Sequence, residues 1–104
     1  MKTVDLTFNL KTYQGGITQD KASDWVRTIL GSGASEKESD FLKIFSLVEK
    51  LNSNPGAVEL DEGDEALVKK EIEAYKQIDN LGSPRVNSYM KAQLILAINN
   101  TKSK

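Results

Sequence analysis

Neither histidine nor cysteine occurs anywhere in this chain of 104 residues. No disulfide can staple it, and the usual ligands of a structural zinc are missing, so burial of apolar side chains has to hold the fold together. The length suffices for that. It lies near the commonest size of a single domain, and 38% apolar with 28% charged residues is ordinary for a globular chain. One domain over residues 1–104 is expected, with a solvated tail at 101–104.

Periodicity divides the chain. Val4, Leu6, Phe8 and Leu10 alternate with Asp5, Thr7, Asn9 and Lys11, which predicts a strand with one buried face. Tyr13-Gln14-Gly15-Gly16 reads as a turn. Ile17-Thr18 is then a short return strand or the lead-in to a helix. A first helix is expected from about residue 19 or 20 to 30, because Ala22, Trp25, Val26, Ile29 and Leu30 fall on one stripe. Thr18 or Asp20 is its expected cap, and Gly31-Ser32-Gly33 its stop through a left-handed glycine.

A second helix follows the capping-box pattern Ser35-Glu36-Lys37-Glu38, with Ser39 a rival cap. Phe41, Ile44, Phe45, Val48 and Leu51 share one face of it, widened by Leu42 and Leu47. Asn52-Ser53-Asn54-Pro55-Gly56 turns the chain into a short strand, Ala57-Val58-Glu59-Leu60, best satisfied by pairing with the N-terminal strand. Asp61 opens a third helix that buries Leu67, Val68, Ile72, Tyr75 and Ile78 and keeps Glu62, Glu65, Glu71 and Glu73 outside. Ser83-Pro84 announces the last helix, with Val86, Met90, Leu94, Ala97 and Ile98 as its stripe.

The fold class that results is α+β, with about four helices packed on a small two- or three-stranded antiparallel sheet. The expected core comprises Val4, Leu6, Phe8, Trp25, Ile29, Phe41, Ile44, Phe45, Val48, Leu60, Leu67, Ile72, Leu94 and Ile98.

The missing residue types also prune the chemistry. The commonest general base and thiol nucleophile are gone, as are the usual ligands of copper, haem and iron–sulfur clusters. Carboxylates are what remains, densest in Glu59-Leu60-Asp61-Glu62-Gly63-Asp64-Glu65. That run lacks the ligand spacing of an EF-hand, and Asp61 and Asp64 fit a helix start better than a cation site. The paired glycines match neither phosphate-binding fingerprint. No catalytic residues, cofactor or metal are therefore expected. Nor is a membrane span or an export signal: a charged residue arrives at Lys2, and no apolar stretch is long enough. The expected setting is the cytoplasm, or the interior of whatever assembly the protein joins.

A formal charge of -1 gives little attraction for nucleic-acid phosphates. The charge is uneven, however. Residues 57–80 carry eight acids and three bases, whereas residues 81–104 hold Arg85, Lys91, Lys102 and Lys104 with no acid. Those four are the contacts of an alternative reading, a small regulatory nucleic-acid binder whose last helix also offers Asn87, Ser88 and Gln93. Tyr13, with Gln14 beside it, sits in the glycine turn without an obvious buried partner and is the expected protein contact.

The order of Val4-Asp5-Leu6-Thr7-Phe8, a helix containing Trp25, Phe41-Leu42-Lys43-Ile44-Phe45 and Leu47-Val48-Glu49-Lys50-Leu51 resembles small uncharacterised proteins of tailed bacteriophages and prophages. Val58-Glu59-Leu60-Asp61, Leu67-Val68-Lys69-Lys70 and Met90-Lys91-Ala92-Gln93-Leu94 continue that order. The resemblance implies an origin, and with it the cytoplasm of a bacterial host cell or a phage assembly as the setting, but no functional residues. Together these features predict a non-catalytic protein acting through protein–protein interaction, self-association or assembly.

Overall fold

The computed structural model describes residues 2–12, 14–32, 38–76, 82 and 86–99, with Glu38 and Ser39 described by backbone alone. Its elements are β1 (Lys2–Val4), β2 (Asn9–Lys11), β3 (Ile17–Lys21), α1 (Ala22–Leu30), α2 (Glu38–Ser53), β4 (Val58–Leu60), α3 (Glu62–Ala74) and α4 (Ser88–Asn99). The class is α+β. The strands form two antiparallel pairs, β1 with β4 and β2 with β3.

The alternating N-terminal run is thus divided between two sheets, and Asp5 is the reason. Its carboxylate accepts from the Thr7 backbone N–H at 2.9 Å and from the Thr7 hydroxyl at 2.5 Å. An aspartate bonded to the backbone two residues on makes a local turn that competes with a strand ladder. The chain bends here and resumes pairing at Asn9. Val4, Leu6 and Leu10 still point inward, but Phe8, expected in the core, is left exposed.

The bend also determines where α1 begins. The Leu6 and Phe8 carbonyls accept from the backbone N–H groups of Ser23 and Ala22 at 2.9 and 2.8 Å. Two of the helix's unsatisfied first-turn donors therefore find partners in the neighbouring chain, and neither Thr18 nor Asp20 caps it. Both belong to β3, so Ile17-Thr18 is the return strand. At the other end Gly31 has φ -81°, a right-handed conformation. Ser32 provides the stop instead: its hydroxyl and N–H both donate to the Ile29 carbonyl, at 2.7 and 3.1 Å.

β4 pairs with β1 through Lys2 with Leu60, Thr3 with Glu59 and Val4 with Val58. That register places Val58 and Leu60 inward. Asp61 then caps α3: its carboxylate accepts from the Asp64 N–H at 2.7 Å, while Asp64 accepts from the Asp61 N–H at 3.1 Å. α4 starts at Ser88, with the Asn87 side chain accepting from the Met90 N–H at 3.0 Å. Ser35-Glu36-Lys37 and Ser83-Pro84, expected to open α2 and α4, lie outside the described residues, as does Ile78.

The core joins both halves of the chain. Leu6, Val26, Leu30, Leu47, Leu51, Val58, Leu60, Val68 and Ile98 surround an apolar void of about 10 Å³. Trp25, Ile44 and Val48 pack against the core from its margin. Phe41 and Phe45 do not enter it, contrary to the sequence expectation.

Candidate interaction surface

Seven apolar side chains on α2 subtend a wider arc than its neighbours cover. α1, α3 and β4 pack against the helix, and Leu47 and Leu51 are buried. Successive residues turn about 100° around a helix, so Phe45 stands roughly 160° from Leu47. The result is an outward apolar face in which Phe41 is 51%, Leu42 71% and Phe45 67% exposed. Phe41, Phe45 and half-buried Val48 follow the i, i+4, i+7 spacing of side chains that anchor a helix in a partner's groove. Glu49 is exposed beside this face. Lys43 is engaged elsewhere, its ammonium lying so close to Gly63 that a Cβ there would meet it at 2.6 Å.

The last helix places its polar residues at structural joints. Lys91 donates from Nζ to the Tyr75 and Glu73 carbonyls at 2.6 and 3.4 Å, satisfying the end of α3. Gln93 grips β2 with both ends of its amide. Its Oε1 accepts from the Lys11 N–H at 2.8 Å and its Nε2 donates to the Lys11 carbonyl at 2.7 Å. With Asn87 capping, three of the residues considered for nucleic-acid contact make bonds within the protein. Arg85, Lys102 and Lys104 lie outside the described residues. The solvent side of α4 carries Tyr89, Ala92 and Leu96, all exposed.

Tyr13 also lies outside the described residues, whereas Gln14 is exposed in the turn after β2. Gly15 supplies the positive φ of that turn, +94°, and its N–H donates to the Thr12 carbonyl at 3.0 Å. The turn is closed by a 2.8 Å bond from the Thr12 N–H to the Gly16 carbonyl.

The acidic run is absorbed by local bonding. The backbone N–H of Asp64 holds the Asp61 carboxyl below its ordinary range. Glu65 bridges Lys69 and Lys2, both at 2.9 Å, and those ammonium groups lower its carboxyl likewise. Asp64 faces Lys50 at 3.5 Å. Among the described residues no group of three carboxylates could hold a metal ion. Nor is any described helix long and apolar enough to cross a membrane.

Glu71 is the exception among the acids. Expected on the solvated face of α3, it is 1% exposed, and neither carboxylate oxygen has a hydrogen-bond partner among the described residues. Its helical neighbours Leu67, Val68, Ile72 and Tyr75 are all buried. They sit at i−4, i−3, i+1 and i+4, the spacing that marks the centre of a buried face. Burial pushes its carboxyl above the ordinary value; Lys70 opposes that shift and Asp40 reinforces it. Comparisons with protein-family models, curated proteins and solved structures find no match.

Proposed function

We propose that this is a non-catalytic protein of phage or prophage origin that binds another protein by laying the Phe41, Leu42 and Phe45 face of α2 into an apolar groove. The exposure of those three side chains carries the reading. Two phenylalanines and a leucine side by side on one helix face form a contiguous apolar patch, and the largest such patch on a monomeric protein is often functional. The resemblance in residue order supplies the proposed origin. The three partly exposed side chains offer on the order of 300 Å², so a stable interface of about 800 Å² per partner has to enlist the polar residues around them as well. Glu49 at the border favours a groove with a basic rim.

The test compares the wild type with a Phe41→Ser/Phe45→Ser variant as immobilised baits in extract from the source organism, with p-benzoylphenylalanine at position 42 as a photo-crosslinker. One protein crosslinked through position 42 and lost from the double variant is the expected result. Equal retention by both baits would overturn the proposal, as would crosslinks only to the chain itself. Salt-sensitive retardation of a DNA or RNA probe, abolished by Arg85→Ala with Lys91→Ala, would replace it with the nucleic-acid reading.

A further inference from the structure

Both oxygens of the Glu71 carboxylate are buried on the α3 face that also holds Leu67, Val68 and Ile72, with Tyr75 just past its end and buried Asp64, which faces Lys50, two turns before it. A lone charge in such a place is strongly disfavoured unless it is paired or neutralised. Its charged surroundings come from few places. On its own helix is Lys70, whose ammonium lies 3.5 Å from Asp40 at the start of α2. From α2 the Asp40 carboxylate bears on Glu71 as a like charge, while Lys43 lies at Gly63 and Lys50 at Asp64, toward the start of α3. The Tyr75 phenol, one turn on, is buried without a partner among the described residues. From α1, Asp24 and Arg27 pair with each other; from α4, Lys91 is bonded to carbonyls at the end of α3. From β4, Glu59 is exposed. No described side chain pairs directly with Glu71 when it is charged.

We propose that Glu71 is a proton-operated latch between α3 and the first turn of α2. Neutral, its carboxyl sits in the packed face of α3 and leaves Lys70 bridged to Asp40. Ionised, it repels Asp40 and draws on Lys70, the cation paired with Asp40 across the two helices. The first turn of α2 then loosens from α3. As pH rises through the titration of Glu71, seating of that turn is lost; as pH falls it is restored. This inference stands apart from the docking proposal, since it concerns the unbound chain.

The experiment follows the side-chain carboxyl of Glu71 by carbon NMR, with amide hydrogen exchange across α2, in the wild type, Glu71→Gln, Glu71→Met and Asp40→Asn. Three results are expected together. The Glu71 carboxyl titrates above an ordinary glutamate. Exchange at residues 40–45, corrected for its intrinsic pH dependence, rises about tenfold or more across that titration and stays flat in Glu71→Gln and Glu71→Met. Removal of the like charge in Asp40→Asn moves the titration to lower pH. An ordinary Glu71 titration would overturn the latch, as would exchange profiles that run parallel in wild type and both Glu71 variants. A titration indifferent to Asp40→Asn would overturn its link to α2. Using both Gln and Met guards against one replacement disturbing the packing.

Discussion

Gln93 and Lys11 are 82 residues apart and meet through two hydrogen bonds, in which a side-chain amide does what a strand backbone would do. Gln93→Ala leaves the Lys11 peptide to water and is expected to lower stability by about 1 kcal/mol, read from the urea midpoint. Asn87→Ala removes the cap of α4 and should lower it by a similar amount, about 1 kcal/mol. Asp61 tests the electrostatic side. Hydrogen bonding holds its folded-state pKa below the unfolded value, so the stability it contributes is present above the unfolded pKa and disappears as pH falls through the folded one. Asp61→Asn is therefore expected to depress the melting temperature at pH 7 and to converge with the wild type at pH 2. Depression of equal size at both pH values would assign the effect to packing. Glu71 shows how sequence reading fails at this scale. A glutamate is presumed to face solvent, yet Leu67, Val68 and Tyr75 already placed it at the middle of the buried arc.

At the scale of elements, α2 separates two properties that its sequence runs together. Leu47 and Leu51 are expected to cost about 2–5 kcal/mol each when replaced by alanine. Phe41→Ser and Phe45→Ser, on the outward face, should change stability by no more than about 1 kcal/mol in the same denaturant titration. Helical spacing revealed that α2 is apolar but could not say how much of its circumference its neighbours cover, because that depends on contacts distant in sequence. Elements whose signals are local were more readable. The start of α3 was visible in Asp61 and Asp64, the stripe of α4 in Met90, Leu94 and Ile98, and the β1–β4 pairing in two short alternating runs. Asp5 defeated the alternation because one side chain reaching its own backbone is enough to divide a strand.

Across the whole molecule the core is continuous but leaves an apolar void of about 10 Å³ where α1, α2, α3, α4, β4 and Leu6 meet. With no polar atom lining it, that space has nothing to hold a water in place. Val26→Ile is expected to raise stability by up to about 0.8 kcal/mol, the worth of one buried methylene; a lower urea midpoint would show that the walls cannot accept it. The bond between Gln93 and Lys11 has a further meaning during synthesis. At about 5–20 residues per second, roughly 4–16 s separate the appearance of the two partners on a ribosome. Through that interval the Lys11 N–H and carbonyl lack the amide that closes them in the folded chain, so this joint between the first strands and the last helix can form only once nearly the whole sequence has been made.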